Sequence, residues 1–330
     1  MEKNIKLNKY KSKYFINKLN KAYNLKYNYY KVLVEGFKSI DIKYIKTLNN
    51  FINNYNSKNP SNYIDSSHGI VHMLTVLCHT EKALQAWNCY HLLKISTEEI
   101  IKIKLAALLH DVDDSKYFPD SFDYENARFI LKKANPQILE DDINEIVEMI
   151  SWVSSSKNCD NIPGKVRESG KEYLLYPRYA DRLEAIGIIG IKRTLEYTLK
   201  IKDKGKPNGV LFNEKTERVT DEVDLFNRVA TEDRYKRYKG SSDSMIDQFY
   251  DKLLRVGNYP IRNIYFDTEC KMRQQPIVDI VLKFGREPNI TENKLQHIIE
   301  EYIEKSKTLD TKCLCDIEVE KYIKINLSIE

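Results

Sequence analysis

A histidine and an aspartate stand side by side at positions 110 and 111, at the end of the apolar stretch LAALLHD. Burying either polar side chain without a partner is costly, and a divalent cation would offset that cost by binding both. An HD dipeptide alone is more typical of an ion-paired cap at a helix end. The pair therefore predicts a metal site only if other ligands accompany it.

Further candidate ligands lie on both sides of this pair. His68 and His72 are one helical turn apart in SHGIVHMLTVLCHTEKAL, and Asp181 lies in YPRYADRLEAIGIIG. Two imidazoles and two carboxylates suit a borderline-hard divalent ion such as Mn²⁺, Mg²⁺, Fe²⁺, Co²⁺, Ni²⁺ or Zn²⁺. Open coordination positions would take a water and a phosphate oxygen, which is the chemistry of metal-assisted hydrolysis.

Three separated motifs, HMLTV, LLHD and ADRLEAIG, resemble the HD superfamily of metal-dependent phosphohydrolases. The resemblance covers about residues 65–200 and implies that His72, His110, Asp111 and Asp181 bind one divalent metal ion. The family spacing favours His72 over His68 as the ligand. The segment SMIDQFYDKLL is also similar to the C-terminal helix of one small branch of the superfamily.

Three residues are candidates for catalysis. Asp114 resembles an acidic position of the branch that hydrolyses guanosine tetraphosphate, where it assists the attacking water, although Ser115 replaces that branch's second acid. Asp113 is the rival for this role, and loop solvation or helix capping is the structural alternative for both. His68 is a candidate acid or phosphate contact, and Lys116 a candidate point charge for a phosphate.

Three further cations are candidate substrate contacts. Arg182 follows Asp181 directly, so it would orient that ligand or bind a phosphate oxygen. Lys157 and Arg178 are additional phosphate candidates. The alternative for each is an ordinary structural or surface role.

The histidine content limits the number of metals. The chain has six histidines, and none lies between His110 and Asp181, which favours a site with a single metal, Mn²⁺ or Mg²⁺. The compact motifs resemble those of a small bacterial branch of the superfamily that is associated with nucleotide pyrophosphohydrolysis. A nucleotide or related small phosphorylated metabolite is therefore the expected substrate, cleaved at a phosphate ester or anhydride. A lyase or transferase on the same fold stays open, because a fold does not fix a reaction.

Helical periodicity accounts for nearly all of the chain, and we expect an all-α fold. The expected architecture is an HD-domain helical bundle with an exposed insertion and a small C-terminal α(+β) extension. We divide the chain into a basic helical N-terminal extension packed on the core (1–60), the HD core (61–200), and an insertion with C-terminal helices (201–330). Helices are predicted at 68–87, 96–110, 123–134, 141–154, 177–200, 241–256 and 291–307, an exposed insertion at 201–221, and a short strand or added lobe at 313–330.

Composition sets the remaining bounds. The 330 residues are 42% hydrophobic and 31% charged, and the six cysteines include no CxxC pair. With no apolar run of about 20 residues and no secretory signal, we expect a cytoplasmic protein without membrane contact. The oligomeric state is open, with a homodimer among the possibilities.

The net charge of +5 is concentrated in residues 1–31, which hold nine lysines and one acid. Such a segment is more often a solubilising surface than a nucleic-acid contact. It nevertheless defines the alternative function, a non-catalytic metal- and phosphate-sensing protein with a basic arm for nucleic acid.

Overall fold

The structure is a computed structural model that describes residues 40–65, 68–158, 160–257, 259, 263–305 and 314–327. Residues 40–330 form one compact unit, and residues 1–39 lie outside the described residues. The basic arm at 1–31 and the proposed packing of the first part of the N-terminal extension therefore lie outside them as well. Every regular element in the described ranges is helical, which confirms the all-α prediction.

The main helical elements of the described residues are labelled α1 to α11. They are α1 (Ile42–Lys58), α2 (Ile70–Tyr90), α3 (Thr97–Leu109), α4 (Glu125–Ala134), α5 (Glu140–Ser151), α6 (Tyr176–Glu184), α7 (Gly187–Asp203), α8 (Met245–Gln248, the π turn Phe249–Leu253 and Leu254–Val256), α9 (Ile264–Arg286), α10 (Glu292–Lys305) and α11 (Leu314–Asn326). Shorter helical pieces are Ser155–Asn158, Gly164–Ser169, Glu172–Leu175, Glu222–Asp224, the π turn Leu225–Val229 and Glu232–Arg237.

The helix α2 lies at the centre of the described unit. It packs against α3, α6, α9 and α11, and α3 in turn packs against α5 and α6. Leu74 and Val76 of α2 are completely buried, as are Leu108 and Leu109 of α3. Burial of a side chain of this kind contributes about 1.5–3 kcal/mol, so the packing of α2 fixes the positions of the helices around it.

The N-terminus of α3 is fixed by a capping interaction, which the sequence predicts from Ser96 with Glu99 three positions on. The Ser96 hydroxyl accepts a hydrogen bond from the backbone N–H of Glu99 at 3.1 Å. The helix then runs to Leu109, so His110 and Asp111 follow at its C-terminal end.

The segment from Pro177 to residue 200 was expected as one helix and is instead two. Pro177 occupies the first turn of α6 as predicted, but α6 ends at Glu184. Gly187 has a φ of 78°, a conformation that glycine adopts easily, and α7 begins there. Gly187 therefore lies at a bend. A glycine here also predicts a close contact between helices, and a Cβ on Gly187 would lie 3.2 Å from Arg273 Cβ of α9.

The insertion at 201–221 is exposed only in its first part. Residues 202–207 are exposed, but Leu211, Thr216 and Val219 are buried. The prediction of an exposed insertion is thus wrong for its second half, where the apolar side chains of Leu211 and Val219 are buried.

The C-terminal tail was predicted as a short strand or an added lobe, and the structure corrects this. Residues Leu314–Asn326 form the helix α11, with Cys315 and Val319 buried against the core. The partial alternation of apolar residues in this tail also fits one face of a helix. None of the described helices combines the length and the apolarity needed to cross a membrane.

Candidate metal centre

Three helices bring the four predicted metal ligands together. His72 lies in the first turn of α2, Asp181 lies in α6, and His110 and Asp111 follow α3. Because α2, α3 and α6 all pack on one another, the four side chains meet where the three helices come together. The two histidines are buried, whereas the side chains of Asp111 and Asp181 are 15% and 29% exposed, which leaves an opening on the carboxylate side.

The ligand atoms lie within contact distance of one another. His72 Nε2 is 3.4 Å from Asp181 Oδ1 and 3.6 Å from Asp111 Oδ2. His110 Nε2 is 3.4 Å from Asp111 Oδ1 and 3.6 Å from Asp181 Oδ1. The two Nε2 atoms are 3.3 Å apart. The ligand atoms of His72, His110 and Asp111 all lie within 4.8 Å of one another, and Asp181 Oδ1 contacts both imidazoles.

The tautomer of His110 follows from its backbone contact. Its Nδ1 lies 2.9 Å from the carbonyl oxygen of Ala107, and a carbonyl only accepts. Nδ1 must therefore carry a proton, so in the neutral ring the lone pair is on Nε2, which faces the other three ligands. This is the arrangement typical of a metal-binding histidine.

The local electrostatics favour a positive charge at this point. Burial lowers the pKa of His110, but the carboxylates of Asp111 and Asp181 outweigh that effect and raise it to about 9. Burial would raise the pKa of Asp181, but hydrogen bonds from His110 and His72 hold it well below its usual range. Two carboxylates facing two imidazoles create a site that stabilises a cation, whether a proton or a metal ion.

His68 lies beside this cluster rather than within it. Its ring centroid is 6.3 Å from that of His72. Its Nδ1 lies 3.4 Å from the Tyr117 hydroxyl and 3.6 Å from Asp65 Oδ1. Burial lowers the pKa of His68, which favours the neutral ring. The preference for His72 as the ligand is consistent with this geometry.

The two rival aspartates after the HD pair have different surroundings. Asp113 accepts hydrogen bonds from the Ser121 hydroxyl and from the backbone N–H groups of Asn126 at 3.1 Å and Ala127 at 3.0 Å. Asp113 therefore fixes the start of α4. Asp114 accepts from the backbone N–H of Lys116 at 2.8 Å and is half-buried, so it is the better candidate for contact with a substrate.

Lys116 is exposed beside the same loop. Its Nζ lies 3.0 Å from the Tyr117 hydroxyl and 3.6 Å from Asp65 Oδ2. Tyr117 in turn contacts His68, so Lys116 and His68 form the edge of the candidate centre.

The three predicted substrate cations occupy different positions. Arg178 is 1% exposed, and it donates to the carbonyl oxygens of Trp152 at 2.6 Å and Asn161 at 2.8 Å. These contacts give Arg178 a structural role, and its role as a phosphate contact stays a prediction. Arg182, also 1% exposed, pairs with Asp160 at 2.6 Å. Lys157 is exposed in the short helix Ser155–Asn158.

A cavity of about 730 Å³ opens beside the candidate metal centre. His72 and Thr75 of α2 line it together with Gln248 and Lys252 of α8. Its remaining cations come from α7, namely Lys192, Arg193 and Lys200. The volume lies in the range usual for small-molecule sites.

Comparison with known proteins adds one clear relationship. No family model matches the chain. It is 37% identical over 239 residues to the uncharacterized protein L803 of Acanthamoeba polyphaga mimivirus, covering 68% of this chain and 90% of that protein. This chain belongs to the family of L803.

Among solved structures, the chain is similar to a structural-genomics target protein from Lactobacillus plantarum. The TM-score is 0.45 and the sequence identity 20%, over 75% of this chain and 97% of the other.

Lys252 and Arg193 were not among the residues singled out from the sequence. A signal was nevertheless present, because Lys252, like Asp251, lies between apolar residues in FYDKLL. Its neighbours Phe249, Tyr250 and Leu253 are all buried. A lysine within such a run is rarely placed there by chance, since burying its charge is unfavourable.

Proposed function

We propose that this chain is a divalent-metal-dependent phosphohydrolase of the HD superfamily. The observation that carries the proposal is the convergence of His72, His110, Asp111 and Asp181 from three helices, with ligand atoms 3.3–3.6 Å apart. The expected substrate is a nucleotide or a related small phosphorylated metabolite.

The donor set fits a single divalent metal ion, with Mn²⁺ or Mg²⁺ favoured. Two imidazole nitrogens and two carboxylates are suitable ligands, and His110 presents its Nε2 lone pair because its Nδ1 bonds to Ala107. A bound metal ion would supply acidification of a water molecule and polarisation of the phosphoryl group.

The chain's own groups account for the remaining requirements of hydrolysis. Asp114 would accept the proton of the attacking water, a contribution of about 10²–10⁴-fold in rate. Lys116 and His68, at the edge of the centre, would contact a phosphate or a leaving group. The adjacent cavity has room for the rest of the substrate.

The test measures metal content and phosphate release together. The full chain, loaded with Mn²⁺ or Mg²⁺, would be assayed against a panel of nucleotides for release of phosphate and pyrophosphate. Asp111→Ala and His110→Ala should each abolish both metal retention and release. Asp203→Ala, which removes an exposed acid at the end of α7, is the matched control and should retain both.

Two results would contradict the proposal. One is the absence of any release from the panel by the metal-loaded protein. The other is equal release by the Asp111→Ala and Asp203→Ala variants, since that activity would not depend on the cluster.

A further inference from the structure

The cations that line the cavity beside the metal cluster differ in their partners. Lys192 lies 3.7 Å from Glu196, one turn further along α7. Arg193, Lys200 and Lys252 have no ion pair with any carboxylate among the described residues. Four carboxylates also line the cavity, and three of them pair with other cations: Asp65 with Lys116, Glu184 with Arg273 and Glu196 with Lys192. The fourth is Asp316. Arg193, Lys200 and Lys252 are thus the lining cations that form no ion pair within the described part of the chain.

Lys252 is the most informative of the three because it is half-buried. Its Nζ lies 5.8 Å from the centre of the Tyr238 ring, a weak contact for a charge removed from water. Burial lowers the pKa of Lys252, while the field of Asp181 raises it and that of Arg193 lowers it. Lys252 thus lies within the electrostatic range of both the metal cluster and α7.

A local irregularity of α8 places Lys252 at the cavity. The residues Phe249–Leu253 form a π turn, and such turns occur mostly as single interruptions of α-helices, frequently at functional sites. Gln248 and Lys252 both line the cavity, and the apolar residues between them are buried.

The other two cations lie along one face of α7. Arg193, Tyr197 and Lys200 follow one another at spacings of four and three residues, and all three line the cavity. With a rise of about 1.5 Å per residue, the row from Arg193 to Lys200 extends about 10 Å. A row of this length exceeds a single phosphate group and matches a chain of them.

We propose that Lys252, Arg193 and Lys200 form a binding subsite for a linear oligophosphate. The reacting phosphoryl group would lie beside the metal cluster, with Lys252 next to it and the remaining phosphates along α7. The position of the reacting group rests on the proposed function, whereas the binding of the phosphate chain does not. The substrate class is accordingly a phosphoanhydride rather than a simple monoester.

Binding to the metal-free full-length protein tests the subsite without any catalysis. Inorganic tripolyphosphate and orthophosphate would be titrated in a calorimeter after removal of metal with a chelator. Tripolyphosphate should bind at least about tenfold more tightly than orthophosphate, because hydrogen bonds to charged groups are worth roughly that factor each.

Single substitutions identify the residues responsible. Lys252→Met should weaken tripolyphosphate binding about tenfold or more, and Arg193→Ala and Lys200→Ala each about threefold because they are exposed. Lys192→Ala is the matched control, since this lysine lies on the same helix and pairs with Glu196. It should change the affinity less than twofold.

A stability measurement separates a binding role from a structural one. Lys252→Met replaces a half-buried charge with an apolar side chain of similar length, so the melting temperature of the metal-free protein should rise by about 2 °C. A fall in melting temperature with unchanged tripolyphosphate affinity would show that Lys252 supports the fold and would overturn the proposal.

The remaining outcomes distinguish the subsite from the proposed function. The subsite would be overturned if Lys192→Ala and Lys252→Met reduced tripolyphosphate affinity equally. Equal affinities of the natural protein for tripolyphosphate and orthophosphate would also overturn it. The predicted binding pattern without metal-dependent release from any phosphoanhydride would leave the subsite standing and remove the hydrolase. Metal-dependent phosphate release, with no effect of Lys252→Met on tripolyphosphate binding or on activity, would support the hydrolase and overturn the subsite.

Discussion

The two aspartates that follow the HD pair show how neighbouring residues of one type acquire different roles. Asp113 accepts three hydrogen bonds at the start of α4. Asp114 accepts one, from the backbone N–H of Lys116, and its side chain is only half-buried. Their contacts therefore predict opposite consequences of substitution.

For Asp114→Asn we expect a loss of activity without a loss of stability. The amide keeps the acceptor for the Lys116 N–H but cannot take a proton from water, so phosphate release should fall about 10²–10⁴-fold. The rate and the melting temperature would be measured for this variant and for Asp120→Asn, an exposed acid in the same loop. A rate equal to that of the control would remove Asp114 from the mechanism.

For Asp113→Ala we expect a loss of stability. Loss of the acceptors for the Asn126 and Ala127 N–H groups leaves the first turn of α4 uncapped, at a cost of about 1–2 kcal/mol. Urea unfolding of the metal-free protein measures this change in the free energy of unfolding. An unchanged midpoint would show that water satisfies these groups equally well.

At the scale of the elements, the segment after α7 is held against α9 by a close backbone approach. A Cβ atom on Gly285 of α9 would lie 1.8 Å from the carbonyl oxygen of Val219. Arg218 donates to the carbonyl oxygen of Glu287 at 2.9 Å, just beyond the end of the helix. The second half of the insertion is thereby fixed to a long helix of the core.

Gly285→Ala should consequently destabilise the protein by about 1–3 kcal/mol, because backbone must move to admit the methyl group. Gly164→Ala is the control, since a Cβ there would meet its nearest neighbour at an ordinary 3.8 Å. Thermal unfolding of both variants checks the prediction. Equal melting temperatures would mean that residues 210–220 detach without cost.

Local signals explain which elements could be predicted from the sequence. The capping pair Ser96 and Glu99 and the proline at 177 act within one turn of chain, and both were confirmed. The bend at Gly187 depends on a positive φ that periodicity does not reveal. The helix α9, which contains Pro276, was missed because proline usually ends a helix.

Over the whole molecule, a buried polar network joins helices that are distant in sequence. Arg273 Nη1 lies 2.7 Å from Glu184 Oε1, and its Nη2 lies 2.8 Å from His79 Nε2. Because an arginine only donates, His79 Nε2 accepts, so His79 Nδ1 donates to the Tyr265 hydroxyl at 2.6 Å. The network connects α2, α6 and α9 beside the candidate metal centre.

This network predicts a dependence of stability on pH. Burial raises the pKa of Glu184, but the Arg273 guanidinium outweighs it and holds the pKa well below the usual 4.5. A lowered pKa in the folded state stabilises the protein above pH 4.5, and this contribution is lost as the pH falls toward the folded-state value.

Glu184→Gln should therefore cost about 3 kcal/mol at pH 7, where it leaves Arg273 without its nearest carboxylate. The difference from the natural protein should shrink progressively below pH 4.5. Urea unfolding at pH 7, 5 and 4 measures it, with the exposed Glu168→Gln as control. A difference that stays constant with pH would contradict the ionised state of Glu184.

Site residues that belong to short sequence motifs could be predicted, whereas a residue that reaches the site from a distant part of the chain could not. His72, His110, Asp111 and Asp181 lie in short motifs, and the structure brings all four together. Lys252 reaches the same cavity from a helix 71 residues beyond Asp181, and no local pattern states which helices will be neighbours. The carbonyl partners of Arg178 come from a different segment, so the sequence does not reveal its structural contacts either.

The π turn at Phe249–Leu253 has an evolutionary consequence as well. A π turn accommodates one residue more than the α-helical turn it replaces. A relative with an uninterrupted helix at this place would be one residue shorter between Gln248 and Leu254. Sequence alignments of the L803 family should accordingly place any single-residue gap inside 249–253, because a gap elsewhere would pair Lys252 with a residue that faces another direction.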